Sequence, residues 1–275
     1  MVTDDSVPDQ VAAIPTVDLA GTSMLAIVQA IPELEARTQR KATVIGGLAV
    51  LARLSTAYRA TSDLDTASRR SAGEPSQLEV LLAGPDVTRA GPAGVWIPTS
   101  AGKVQVDVIE VTDSELGQLP DDQTDRLAVL SHAWAIETAT AMRIRAAGLF
   151  GDAAADVVAY VAEPGPLIAM KLQSVVNRPI AKERTDLLDI VRLTLDRIAG
   201  PTAHAQLAEA TAQLADDARL HARRWFIERK DPTLRLIREL PEGSDVDADT
   251  IQLVAELLLA ELNRPAPEQV PEPTP

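Results

Sequence analysis

Cysteine is missing altogether from the 275 residues. Disulfides, thiolate zinc sites and cysteine nucleophiles are therefore excluded. Histidine is nearly as scarce: His132, His204 and His221 are the only three, and none sits at a ligand spacing such as H-E-x-x-H. Aromatic residues make up only 3%, so Leu, Val, Ile and Ala must fill the core. No apolar run approaches the ~20 residues needed to span a membrane as a helix. The first residues, Met1-Val2-Thr3-Asp4-Asp5, carry neither the basic start nor the apolar stretch of a signal peptide, and the expected location is cytoplasmic. Positive charge is also in deficit. A formal charge of −14 argues against indiscriminate coating of nucleic acid, because phosphate contacts need Lys and Arg. A local basic channel stays open.

What is present is an ordinary globular composition, with 46% hydrophobic and 24% charged residues. The length suffices for one large domain or two small ones. The most informative stretch runs from residue 42 to residue 65. Ala42-Thr43-Val44-Ile45 reads as a short strand ending at Gly46-Gly47, and Leu48 to Leu54 reads as one or two helical turns. A second extended segment then carries Asp63 and Asp65, whose i, i+2 spacing puts both carboxylates on one face of a strand. Two adjacent carboxylates are costly unless a cation lies between them, and Mg²⁺ takes oxygen ligands of this kind. A glycine turn opening a helix also lets backbone N–H groups approach a phosphate.

The alternation in Lys103 to Val111 predicts a further strand, with Val104, Val106 and Val108 on one face and Lys103, Gln105, Asp107 and Ile109 on the other. A carboxylate in mid-strand needs water, a cation or a metal, and Asp107 is a candidate third metal ligand. Asp-x-Asp alone is weak, since the chain holds 40 acidic residues; Asp245-x-Asp247-x-Asp249 reads as a solvated helix entry.

Elsewhere, a helix is predicted from Thr22 with Ser23 as N-cap, restarted or kinked at Pro32 and running to about Arg40. Ser68 to Glu74 reads as a loop, and Leu78 to Leu82 as a short strand or a helical turn. Ala133 to Arg145 and Asp156 to Val161 read as strands. Helices are expected at 167–177, 183–199, 203–228, 232–240 and 248–263, separated by Pro- and Gly-containing breaks. The expected fold class is α/β (α+β). It comprises a disordered arm at 1–20, a mixed-sheet α/β domain at 21–162, a helical domain at 163–264 and a disordered Pro-rich tail at 265–275.

A second constellation lies on the predicted helices. Lys171 interrupts the apolar run Leu167-Ile168-Ala169-Met170, and Arg178, Lys182 and Arg184 follow, then Thr185-Asp186-Leu187-Leu188-Asp189. A lysine in such a run either snorkels to water or aims its amine at a polyphosphate, where it offsets charge on a leaving pyrophosphate. Asp186 either orients Lys171 or complements a helix dipole. The basic residues Arg219, Arg223, Arg224, Arg229, Lys230, Arg235 and Arg238, with Trp225 and Phe226 interleaved, form a candidate nucleic-acid track. The alternative is a solvated face pairing with Asp216, Asp217, Glu228 and Glu239.

Gly46-Gly47-x-Ala49 with Asp63-x-Asp65, followed by Leu167 to Leu172 and by Lys182 with Asp186-Leu187-Leu188-Asp189, resembles the AbiEii/MenT group of nucleotidyltransferases. These are toxin-type enzymes of the polymerase-β-like superfamily. The resemblance covers roughly residues 40–195. It implies a two-lobed fold, and a two-metal Mg²⁺ site at Asp63 and Asp65, with Asp107 as the possible third ligand. It also implies nucleotide-phosphate contacts by Gly46, Gly47, Ser62 and Lys171, with Asp186, or else Asp189, as the remaining catalytic acid. The implied partners are an NTP donor, a tRNA 3′ end as acceptor and a cognate antitoxin protein. Two departures stand out. Gly46-Gly47 replaces the Gly-Ser frequent in the superfamily, and Lys182 lies farther from Asp186 than the compact Lys-Asp of the group.

Overall fold

A computed structural model describes residues 14–148, 153–176 and 180–264. The expectations for residues 1–13, for Arg178 and for the tail at 265–275 lie outside the described residues.

Among the described residues, eight strands form one mixed sheet: β1 (Thr16–Ala20), β2 (Thr43–Ile45), β3 (Asp63–Arg70), β4 (Thr88–Arg89), β5 (Gly94–Thr99), β6 (Gly102–Thr112), β7 (Thr140–Ala147) and β8 (Ala154–Val161). Their order across the sheet is β1-β7-β8-β2-β3-β6-β5-β4. The short β2 sits near the middle, parallel to β8 and antiparallel to β3, and β3 runs parallel to β6. All three residues of β2 are buried, as a central strand requires.

Four longer helices accompany the sheet. They are α1 (Thr22–Thr38), α2 (Gly46–Arg53), α3 (Gln77–Leu82) and α5 (Gln123–Thr138), with the short α4 (Asp113–Gly117) between the last two. Leu25, Val28, Ile31 and Leu34 of α1 are buried at helical spacing against the sheet. Ser76 and Glu79 close a capping box at the start of α3, which decides between strand and helical turn for Leu78 to Leu82.

After β8 the chain is helical: α6 (Pro164–Ser174), α7 (Ile180–Leu195), α8 (Ala199–Ala208), α9 (Ala212–Arg223), a π turn at Arg224–Glu228, α10 (Lys230–Arg238) and α11 (Ala248–Leu262). Pro164 occupies the first turn of α6, where its missing N–H costs nothing. Every residue from Pro164 to Leu172 is buried, because α6 packs against α5, α7 and α8 together. Asp247 caps α11 by accepting from the Thr250 N–H, so the Asp245 to Asp249 cluster is indeed a helix entry.

Several expectations are corrected. Residues 16–20, expected in a disordered arm, form β1, hydrogen-bonded to β7 in parallel register. The cap position of α1 is Gly21 and not Ser23, and α1 continues through Pro32. β3 extends to Arg70, into the segment expected to be a loop. Residues 133–138 belong to α5 and only Thr140–Ala147 is strand. Leu127, Ser131 and Ala135 are its fully covered residues, four apart, the spacing of one helix face, where Trp134 and Ile136 suggested alternation. The stretch 203–228 breaks at residues 209–211 into α8 and α9. Among the described residues no helix is long and apolar enough to cross a membrane.

Candidate active site

Strand register assembles the acidic side of the site. Asp65 lies opposite Ile45 on β2 and opposite Asp107 on β6, so both carboxylates leave the same face of neighbouring strands, as does Asp63 two residues earlier. One ligand atom from each of Asp63, Asp65 and Asp107 lies within 4.8 Å of the other two, and all three are half-buried. Supporting donors fix two of them. Gln105 Nε2 donates to both oxygens of Asp107, at 3.0 and 3.3 Å, and Thr61 Oγ1 donates to Asp63 Oδ1 at 3.1 Å. The ammonium of Lys182 donates to Asp63 Oδ2 at 3.3 Å.

Gly46 and Gly47 begin α2 directly beneath this cluster. Gly46 has φ +62°, and a Cβ there would lie 1.9 Å from Asp65 Oδ2; a Cβ on Gly47 would lie 2.7 Å from Thr61 Oγ1. Backbone and carboxylate are thus as close as glycine allows. Thr61 places its hydroxyl beside Gly47, where a serine Cβ would collide with it.

The cationic side comes from the helical half. Lys171 is only 6% exposed. Its Nζ lies 2.6 Å from Asp186 Oδ1 and 2.6 Å from Asp189 Oδ2, and Ser174 Oγ donates to Asp186 Oδ2 at 2.9 Å. Both carboxylates left open by the sequence therefore contact the lysine. Asp189 is the deeper, at 0% exposure. It also takes a two-pronged contact from Arg59, Nε at 3.1 Å and Nη2 at 2.8 Å, and a hydrogen bond from the Tyr58 hydroxyl.

Burial alone would push the Lys171 ammonium down, but Asp186 and Asp189 overcome it and hold its pKa above the ordinary value. Burial likewise opposes ionisation of Asp189, and Lys171 and Arg59 reverse this, holding the carboxyl below the usual range. The Tyr58 phenol is pushed up, chiefly by burial and then by Asp189.

The acidic and the cationic side border one cleft of about 590 Å³. Of the residues predicted for the site, Gly46, Gly47, Ser62, Asp63, Asp65, Lys171 and Asp186 line it. Asp107 stands beside Asp65 on the neighbouring strand, outside the lining. Sequence reasoning missed Arg59, His132, Gln173 and Ser174 in the walls. Arg59 had a signal, since it lies in the same short loop that delivers Asp63.

The basic track is not part of this cleft. Trp225 is 2% exposed and Phe226 0%, so both are core residues with no ring face for a base. Arg224 and Arg229 lie over the Trp225 ring, at 5.4 and 4.5 Å from its centroid. Arg219 pairs with Asp216 at 2.6 Å, and Arg238 Nε donates to the Val246 carbonyl at 2.7 Å.

No family model and no curated protein matches the chain. Among solved structures, an antigenic nucleotidyltransferase-like protein from Paracoccidioides brasiliensis is similar, with a TM-score of 0.44 and 15% sequence identity, over 80% of this chain and 94% of that one. The chemistry is accordingly read from this chain's own residues.

Proposed function

We propose that this protein is a nucleotidyltransferase that moves a nucleoside monophosphate from an NTP to an acceptor hydroxyl. The observation that carries the reading is the convergence of Asp63, Asp65 and Asp107 within 4.8 Å, with Asp63 and Asp65 in one cleft with Lys171 and the Gly46-Gly47 turn. The donor set is all oxygen and all anionic, which suits a hard divalent cation such as Mg²⁺ and offers nothing to a thiophilic metal. Three carboxylates this close favour a bound cation, and Lys182 already brings an ammonium to Asp63.

Bound there, Mg²⁺ would supply charge stabilisation at the α-phosphate and a more acidic acceptor hydroxyl. The chain's own groups do the rest. The first amides of α2, which open the helix beside the acidic cluster, would receive the β- and γ-phosphates. The Lys171 ammonium has three N–H groups; Asp186 and Asp189 take two, and the third is left for a phosphate oxygen. Its charge offsets that of the departing pyrophosphate as the acceptor hydroxyl gives its proton to water, its oxygen bonds to the α-phosphorus, and the bond to the α,β-bridging oxygen breaks with the electron pair leaving on pyrophosphate. Asp186 is a positioning residue for Lys171.

On the motif resemblance we propose the tRNA 3′ end as acceptor and a toxin role checked by an antitoxin. A second reading is transfer to a protein or small-molecule hydroxyl; the burial of Trp225 and Phe226, which removes base-stacking from the basic track, favours it. Incubation with each radiolabelled NTP, Mg²⁺ and either tRNA, protein or small acceptors tests both. Label on tRNA supports the first acceptor and label elsewhere the second. No label and no metal-dependent NTP binding would sink the enzyme reading and leave a non-catalytic relative that binds a partner protein.

A further inference from the structure

We infer that Arg59 is a second cation for the donor's triphosphate, held in register with Lys171 by the carboxylate of Asp189 that both share. The inference rests on the nucleotidyl-transfer reading and adds a residue and a geometry to it. Arg59 sits in the loop between α2 and β3 and lines the same cleft as Lys171. Its Nη2 would lie 3.3 Å from a Cβ on Gly47, so the guanidinium head stands beside the turn whose amides face the phosphates. Lys171 approaches from α6.

Two cations converging on one cleft repel, and neither would hold its place unaided. Asp189 removes the repulsion. One oxygen takes Arg59 Nε at 3.1 Å, and the other takes both Arg59 Nη2 and Lys171 Nζ, at 2.8 and 2.6 Å. Tyr58 donates to the first oxygen and fixes the carboxylate's rotation. A fully buried anion with this many donors is a rigid post.

The donor inventory of Arg59 shows what is left over. A guanidinium has five N–H groups. Nε and one N–H of Nη2 are committed to Asp189, and one N–H of Nη1 to the Ala60 carbonyl at 3.0 Å. That leaves one N–H on each terminal nitrogen, and the side chain is 15% exposed where it borders the cleft. Two donors on one planar head can take two oxygens of one phosphate with a fixed geometry that an ammonium, a point charge, does not impose. A purely structural arginine, tying its loop to α7, would need only the Asp189 contact.

The test is titration calorimetry of the full chain with inorganic triphosphate and Mg²⁺, using wild type, Arg59→Lys and Asp189→Asn. The thermal midpoint and Mn²⁺ binding by electron paramagnetic resonance are followed on the same samples. The expected result is a loss of triphosphate affinity of about tenfold to a hundredfold in Arg59→Lys, the scale of one charged hydrogen-bond pair, with Mn²⁺ binding unchanged. Asp189→Asn should weaken triphosphate as well. Affinity within about threefold of wild type in Arg59→Lys would overturn the inference and leave Arg59 structural, since one charged hydrogen bond is worth more than that. Wild type that binds Mn²⁺ but no triphosphate would also overturn it, with the metal site intact. Wild type that binds neither would sink the parent reading as well. Arginine-directed modification of wild type with phenylglyoxal decides the matter should the variants not fold. Triphosphate should protect Arg59, and unprotected modification would count against the inference.

Discussion

Gly46 and Asp65 meet so closely that a single added methyl on the glycine would lie 1.9 Å from the aspartate's Oδ2. The pairing follows from the sheet, since Ile45 is opposite Asp65 in the β2–β3 ladder and the chain must turn away at once at φ +62°. Gly46→Ala therefore places a Cβ where the Asp65 carboxylate stands and strains a left-handed backbone, costing about 1–3 kcal/mol of stability. Nucleotidyl transfer should fall about a hundredfold or more, since misplacing a reacting group by about 1 Å has that scale. Steady-state rates and urea unfolding of the purified variant would check this. Near-wild-type activity would mean that Asp65 is not a ligand at its present position.

The three aspartates should also show themselves without turnover. Wild type should gain thermal stability on adding Mg²⁺ or Mn²⁺, by about 2.7 kcal/mol at a hundredfold excess over Kd. Asp63→Asn and Asp65→Asn should abolish that gain, because each removes an anionic oxygen ligand from the cluster. Differential scanning calorimetry with and without EDTA measures the gain. A variant that keeps the metal-dependent shift would remove that residue from the site.

How much of this was legible in the sequence depends on the range of the signal. Strand alternation at Val104, Val106 and Val108, the Gly46-Gly47 turn and the Asp63-x-Asp65 pair are local patterns, and each lies where it was read. The meeting of Asp107 with Asp65 is a matter of strand order, which a period-two pattern does not specify. Arg59, and with it the contact it makes to Asp189, was overlooked for a different reason. A lone arginine in a loop and an aspartate within a helix gain meaning only when 130 positions of separation close into one contact. The strand reading of Ala133 to Arg145 failed over residues 133–138 because small, polar and large residues alternate there by accident in a helix whose fully covered face is Leu127, Ser131 and Ala135.

Trp225 and Phe226 give a test that separates core from interface. Both are buried between the last helices, Trp225 in part through the Thr233 hydroxyl, which donates to its carbonyl at 2.7 Å. Phe226→Ala should cost about 3–5 kcal/mol of unfolding free energy, the range for emptying a buried aromatic site. Denaturant unfolding measures this directly. A variant of unchanged stability but weakened RNA affinity would return these rings to the candidate nucleic-acid face.

The buried ion network makes the sharpest prediction because its pH window is fixed by sign. Asp189 has a folded pKa below its unfolded one, so its contribution is complete above the unfolded value near ~3.9 and is lost as pH falls through the lowered folded value. Lys171 has a folded pKa above its unfolded one. Its contribution is complete below ~10.4 and is lost as pH rises through the raised folded value. Between about pH 4 and 10 the network's contribution is therefore flat. Asp189→Asn leaves Arg59 and Lys171 buried without their shared anion and should cost about 3–5 kcal/mol across that plateau. Asparagine does not titrate, so the difference from wild type should shrink toward zero as the pH is taken well below 4 and the wild-type carboxyl takes up its proton. Urea unfolding of both proteins from pH 2.5 to 9 follows the difference directly. A gap that persists undiminished into strong acid, or one under about 1 kcal/mol at pH 7, would show that Asp189 is not the anion on which the two cations depend.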